Sequence, residues 1–132
     1  MNENKNNRES FSLTKRIHSF RHAINGIRLA VSQEHNLWIH SGAAVLVVIT
    51  GFILRISSHD WMAVIFAIGF VFVTELLNSA IEALADFVSP GHHKDIGRIK
   101  DIAAGAVLVS VITAVITGIL VFWPHLKMMC RF

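Results

Sequence analysis

The apolar residues of this chain form three long runs, which follow a segment of mixed polarity. The runs at residues 37–56, 61–88 and 102–123 each reach the roughly 20 residues that a helix needs to cross about 30 Å of hydrocarbon. The third run holds no charged residue, and its Ser, Thr and Gly positions allow helices to pack closely. The pattern predicts three transmembrane helices.

Ahead of the first run, apolar residues recur at helical spacing over residues 13–31, while Lys and Arg occupy the other faces. This predicts an amphipathic helix at the membrane interface, with a helix packed on a soluble core as the alternative. The expected fold is an all-α membrane protein with an amphipathic interfacial N-terminal helix followed by three transmembrane helices. We expect a disordered start at 1–10, a single domain at 11–126 and a C-terminal tail at 127–132.

Composition supports a membrane protein. Of 132 residues, 53% are hydrophobic and only 16% are charged, against roughly 25% charged in soluble domains. The net charge is +3, and six of the twelve Lys and Arg residues precede residue 30, which suits a membrane surface better than a nucleic acid. The single cysteine, Cys130, excludes an intrachain disulfide and a multi-cysteine metal site.

Basic residues also predict the orientation in the membrane. They are concentrated in the amino-terminal segment and in the second connection, 89–101, whereas the first connection, 57–60, has none. Positive charge favours the cytoplasmic side, so the amino terminus and the second connection are expected there. Lys127 and Arg131 oppose this orientation, but the excess on the other side is larger.

Four polar residues interrupt the middle run. Glu75, Asn78, Glu82 and Asp86 are spaced so that, at 100° per residue, they project from one face of a helix, here called the polar stripe. An ionised residue in a membrane helix costs roughly 2.5–3.5 kcal/mol, so such residues usually have a function. The alternative is a stripe that is partly protonated and hydrogen-bonded to other helices.

The stripe has neighbours suited to phosphate chemistry. Carboxylate and amide oxygens are suitable ligands for Mg²⁺, whose coordination is usually completed by water and phosphate oxygens. Glu34 and the cationic segment GHHKDIGRIKD at 91–101 lie near the stripe in chain order, which indicates phosphoryl transfer from a nucleotide. No phosphate-loop or kinase-type glycine motif is present. The His92–His93 pair lacks zinc-ligand spacing and fits a solvated or nucleotide-contacting loop better.

From about Lys15 to Pro124 the chain resembles the small integral-membrane lipid kinases of bacteria, a family that includes diacylglycerol kinase and undecaprenol kinase. The most specific segments are ELLNSAIEALAD at 75–86, KDIAAGAVL at 100–108 and EHNLWIH at 34–40. The resemblance implies a homotrimer in the bacterial inner membrane, with active sites shared between neighbouring subunits and ATP entering from the cytoplasm.

By position, the resemblance implies that Glu75 is the catalytic base and that Glu34 and Glu82 bind Mg²⁺ and the nucleotide. His22 replaces an aromatic hydroxyl found in the diacylglycerol enzyme. The expected nucleotide-site residues are Lys15, His22, Glu34, Glu82, Asp86, His93, Lys100 and Asp101, with Asn78 as a supporting polar residue.

Together these observations predict an ATP- and Mg²⁺-dependent kinase that phosphorylates the hydroxyl of a membrane lipid alcohol. Undecaprenol is favoured because Glu34, Asn36 and His40 resemble the undecaprenol branch, and diacylglycerol, which would give phosphatidic acid, is the alternative. The alternative from a different functional class is a membrane protein without enzymatic activity, such as a transporter subunit or scaffold. The cationic segment at 94–100 argues against that alternative, because a proton path does not need it.

Overall fold

The structure, a computed structural model, describes residues 13–91 and 93–129, with side chains from residue 16 to residue 128 except at residue 92. The predicted disordered start at 1–10 and the end of the tail, 130–132, lie outside the described residues.

The described chain consists of α-helices, and it contains no strand. A first helix is followed by three that are long and apolar enough to cross a membrane, which confirms the predicted fold class. In chain order the helices are α1 (Leu13–Gln33), α2 (His35–Leu54), α3 (Ser58–Val88) and α4 (Lys94–Met129).

A single extended residue separates α1 from α2. Glu34 has φ −100° and ψ 111°, and its side chain makes no capping hydrogen bond to α2. The break falls where the amphipathic pattern of α1 gives way to the continuous apolar pattern of α2. The carboxylate of Glu34 therefore stands at the junction of the two helices and is available for other ligands.

A short turn joins α2 to α3. Arg55 ends α2 in the left-handed conformation, with φ 49°, and Ser57 begins α3 with a capping box. The Ser57 hydroxyl accepts a hydrogen bond from the Asp60 amide at 3.2 Å, and the Asp60 carboxylate accepts one from the Ser57 amide at 3.2 Å. Gly51 faces this turn, where an added Cβ would lie 2.9 Å from the Trp61 ring. The small residue allows the tryptophan to pack against α2.

Helices α3 and α4 run antiparallel and share the most extensive contact in the fold. The Thr74 and Ser110 hydroxyls are 2.7 Å apart across this contact, and Ser110 is fully buried. Because α4 begins at Lys94, the second connection is shorter than the predicted 89–101. Its charged residues extend the helix beyond the apolar run, since Lys and Arg are good helix formers.

Few apolar side chains are buried within one copy of the chain. A small core includes Ile56, Val64 and Val121, whereas Phe66 is 79% exposed and Phe87 is 85% exposed. Apolar exposure on this scale marks surface covered by lipid or by another subunit. With three membrane-length helices, the chain is an integral membrane protein.

Candidate active site

The polar stripe of α3 extends from the apolar interior toward one membrane surface. Trp61 stands near the opposite end of α3, and tryptophan is enriched at membrane boundaries. With a rise of 1.5 Å per residue, Glu75 lies about 21 Å along the axis from Trp61, and Glu82 lies about 32 Å from it. A hydrocarbon layer of about 30 Å therefore places Glu82 near the far boundary and Glu75 about 10 Å inside it.

Glu75 is the most deeply buried carboxylate of the stripe, with 2% of its surface exposed. Its Oε1 atom lies 2.9 Å from Nε2 of His40 on α2. A carboxylate at this depth is costly unless a donor compensates it, and an imidazole N–H can do so. The contact joins α2 to α3 at the level of the predicted catalytic base.

One turn further along α3, Asn78 and Glu82 form a hydrogen-bonded pair. Asn78 Nδ2 donates to Glu82 Oε1 at 2.9 Å. Asn78 is buried, and its Oδ1 atom accepts no hydrogen bond within the described part of the chain. The bond fixes one oxygen of the Glu82 carboxylate and leaves its other oxygen for a ligand.

A groove of about 540 Å³ lies between α1 and α3 and is called the α1–α3 groove. Its wall brings together three of the predicted carboxylates, those of Glu34, Glu82 and Asp86. Glu34 reaches the groove from the junction of α1 and α2, and the other two come from the stripe. The rest of the lining is mainly small or apolar: Ala23, Gly26, Ile27, Leu29, Ala30, Gln33, Leu76, Ser79, Ala80 and Ala83.

A second polar cavity, the connection pocket, has a volume of about 570 Å³ and is formed where α3 passes into α4. Lys100 Nζ donates to Asp86 Oδ1 at 2.6 Å, and both residues line this pocket. Asp86 also lines the α1–α3 groove, so the two cavities adjoin. The other lining residues are Ser89, Pro90, Gly91, His93, Lys94, Ile96, Gly97, Arg98 and Asp101.

The predicted residues of the second connection come together in this pocket. Lys100, Asp101 and His93 all line it. His93 also has a local structural contact, because its Nδ1 atom accepts a hydrogen bond from the Asp95 amide at 3.3 Å, in the first turn of α4. The neighbouring residue of the predicted loop, His92, lies outside the described residues.

One predicted residue of the amino-terminal helix, His22, does not line the groove. His22 is exposed, and its Nε2 atom lies 3.4 Å from Nδ1 of His18. The groove lining on α1 begins at the next residue, Ala23. The side chain of Lys15 lies outside the described residues, so its proposed nucleotide contact stays a prediction.

The carboxylates of the α1–α3 groove suit Mg²⁺, which takes few protein ligands, better than a metal ion whose ligands all come from the protein. Within the described residues, no group of three or more His, Cys, Asp or Glu side chains is arranged to hold a metal ion. Mg²⁺ needs only one or two carboxylates when water and phosphate oxygens complete its coordination. Glu34 and Glu82 in one groove wall fit that requirement.

An apolar groove of about 230 Å³ lies between α2, α3 and α4, next to the part of α3 that precedes the stripe. His40 forms the end nearest Glu75, and the lining on α3 runs from Phe72 back to Val64. The remaining lining residues are Ala43, Ala44, Val47, Ala67, Ile68, Val71, Val111, Ala114, Val115, Thr117, Gly118 and Phe122. The groove thus leads from the membrane interior to the His40–Glu75 contact.

The contact between His40 and Glu75 was not predicted from the sequence. The available signal was a titratable side chain within a long apolar run, where such residues usually have a partner. The identity of that partner depends on how α2 packs against α3.

A family model described as prokaryotic diacylglycerol kinase matches residues 21–122, which is most of the chain. This match covers α2, α3 and most of α1 and α4, and it therefore includes both polar cavities.

Individual relatives are kinases of two specificities. The undecaprenol kinase of Bacillus subtilis (strain 168) is 42% identical over 108 residues, which cover 82% of this chain and 88% of that protein. The diacylglycerol kinase of Escherichia coli (strain K12) is 34% identical over 100 residues, covering 76% and 82%. The diacylglycerol kinase of a Synechocystis strain is 33% identical over 109 residues, covering 82% of this chain and 62% of that protein.

Proposed function

The chain belongs to the prokaryotic diacylglycerol kinase family and is a lipid kinase, and from this premise we propose that it phosphorylates undecaprenol with ATP and Mg²⁺. Undecaprenol is preferred to diacylglycerol because the identity to the undecaprenol kinase is 42%, against 34% to the Escherichia coli diacylglycerol kinase. Membership of a kinase family also argues against the non-enzymatic transporter or scaffold.

One observation carries the proposed mechanism: Glu34 and Glu82 line the same groove, and Glu82 shares its helix face with the buried Glu75. We assign Glu34 and Glu82 to Mg²⁺ and the nucleotide. A bound Mg²⁺ would offset the negative charge of the phosphate oxygens during transfer. Asn78 holds the Glu82 carboxylate in place through its 2.9 Å hydrogen bond.

Glu75 is assigned as the catalytic base. Its carboxylate accepts the proton of the lipid hydroxyl while the hydroxyl oxygen bonds to the terminal phosphorus of ATP and the bond from that phosphorus to ADP breaks. The depth of Glu75 suits this role, because a lipid hydroxyl reaches it from the membrane and the nucleotide approaches from water. The apolar groove beside His40 supports a path for the lipid chain that excludes water.

Substrate preference is tested by competition. Purified protein is incubated with ATP labelled in its terminal phosphate, Mg²⁺, and micelles containing equal amounts of undecaprenol and diacylglycerol. We expect most of the label in undecaprenyl phosphate. A predominance of labelled phosphatidic acid would contradict the undecaprenol assignment while leaving the lipid kinase activity intact.

Lys100 is proposed to exchange its contact with Asp86 for the phosphates of the nucleotide. Lys100→Met should lower kcat/KM for ATP about tenfold, because a charged hydrogen bond contributes about 1.5–3 kcal/mol and Lys100 is partly exposed. Lys127→Met is the matched control, since Lys127 lies about 40 Å further along α4. Initial rates at varied ATP measure both variants, and equal losses would argue that both act through folding.

The amino terminus and the second connection are proposed to face the cytoplasm. In a Cys130→Ser background, a cysteine at Gly91 should react with an impermeant maleimide only after cells are opened, whereas one at Ser58 should react in intact cells. Both positions are exposed in the structure. The reverse labelling pattern would place the nucleotide site on the wrong side of the membrane.

We also propose the homotrimer with shared active sites that the family resemblance implies. Two features support a neighbouring subunit: the extensive apolar surface left uncovered by one copy, and the buried Asn78 Oδ1 atom, which lacks a donor within the described residues. A neighbouring chain or the substrate can supply that donor.

A further inference from the structure

The His40–Glu75 contact crosses between two helices at the depth of the proposed reaction. His40 comes from the first membrane helix, and 21% of its side chain is exposed, against 3% for the side chain of Glu75. Among the described residues, His40 is the one basic side chain with a nitrogen within 4.0 Å of the Glu75 carboxylate. This contact can orient the carboxylate.

A close contact at one oxygen of a carboxylate leaves the other oxygen for a different partner. Nε2 of His40 lies 2.9 Å from Oε1 of Glu75 as a close polar contact, and an imidazole that carries a proton on this nitrogen attracts that oxygen. Oε2 is then left to receive the proton of the lipid hydroxyl. A fixed orientation matters, because a misplacement of about 1 Å can slow a reaction on the order of 10²-fold.

We propose that His40 is the positioning residue for the Glu75 base, a role that rests on the proposed function. It acts by holding Oε1, so that Oε2 points toward the hydroxyl of the lipid substrate. His40 also forms the end of the apolar groove, which places this contact where the groove meets the stripe. The imidazole thus links the surface proposed for the lipid chain to the group that activates its hydroxyl.

The test compares three substitutions at His40 in the full-length protein. His40→Leu removes the donor, His40→Asn carries a donor too short to reach Glu75, and His40→Gln carries one of similar reach. The Leu and Asn variants should lose about 10- to 100-fold in kcat with KM for ATP unchanged, whereas the Gln variant should retain most of the wild-type kcat. If the Leu variant does not fold, the comparison of Asn with Gln decides.

A double variant at His40 and Glu75 distinguishes a positioning role of His40 from a general structural role. In a Glu75→Gln background, adding His40→Leu should change kcat by no more than about twofold, because the group that His40 positions is already gone. If the losses in kcat of the two single variants multiply in the double variant, the proposal is overturned. Full activity of His40→Leu, or equal activities of the Asn and Gln variants, would also overturn it. The failure of Glu75→Gln alone to slow transfer would instead contradict the proposed function.

His125→Leu is the matched control. His125 is a half-buried histidine of α4 at the other end of the bundle, where its Nδ1 atom contacts the Val121 carbonyl oxygen at 2.9 Å, and its side chain is 23% exposed. It should leave kcat unchanged. A loss equal to that of His40→Leu would show that removing any membrane histidine harms the enzyme, and would overturn the assignment of His40.

Discussion

Replacing Glu82 with Gln should reduce phosphoryl transfer to roughly 10⁻² to 10⁻³ of the wild-type rate. A bound metal stabilises the transferring phosphoryl group by several kcal/mol, and each 1.36 kcal/mol corresponds to a factor of ten. Gln preserves the size of the side chain and can still accept the hydrogen bond from Asn78, so the helix should fold normally. Initial rates at saturating ATP and Mg²⁺ measure the loss, and circular dichroism measures the fold.

Asp95→Asn provides the control for charge removal at the same end of the bundle. Asp95 is exposed and lines neither polar cavity, and its carboxylate pairs at 3.8 Å with Arg98, which lines the connection pocket. This variant should keep nearly full activity, since exposed ion pairs contribute little. Full activity of Glu82→Gln would remove Glu82 from the metal and nucleotide site.

Glu75→Gln should separate nucleotide binding from chemistry. ATP affinity should persist, because Glu34 and Glu82 remain in the α1–α3 groove, while kcat for the lipid should fall on the order of 10²-fold or more. The amide cannot accept the hydroxyl proton as a carboxylate does. Binding of a fluorescent ATP analogue and initial transfer rates give the two quantities independently. A variant that lost ATP affinity but kept its maximal rate would make Glu75 a binding residue.

The helices and the polar stripe could be predicted because both follow from local spacing. Apolar runs of membrane length require helices, since a lipid environment leaves the backbone no other donors or acceptors. The common face of Glu75, Asn78, Glu82 and Asp86 follows from 100° per residue, and the Asn78–Glu82 hydrogen bond joins two of these positions.

Contacts between helices could not be predicted in the same way. The pairs His40–Glu75 and Asp86–Lys100 depend on the register of α2 and α4 against α3, and the Thr74–Ser110 hydrogen bond helps to fix the register of α4. The start of α4 at Lys94 was missed because the apolar pattern marks the membrane part of a helix and not its polar extension.

Glu34 reaches the α1–α3 groove because the chain changes direction between α1 and α2. Sequence spacing alone placed it at the end of the basic helix, near the stripe only in chain order. In the structure, one extended residue turns the chain from α1 into α2, and the freed carboxylate reaches the groove that contains Glu82. The joint placement of these two carboxylates requires α1 to pack along α3.

Transfer of the terminal phosphate of ATP to a lipid alcohol, measured with and without Mg²⁺, tests the central claim most directly. Purified protein in micelles with undecaprenol and labelled ATP should place the label in an organic-soluble lipid phosphate. Removal of divalent cations by a chelator should abolish the product, and added Mg²⁺ should restore it. Label found only in inorganic phosphate, or transfer that persists unchanged under chelation, would contradict the account.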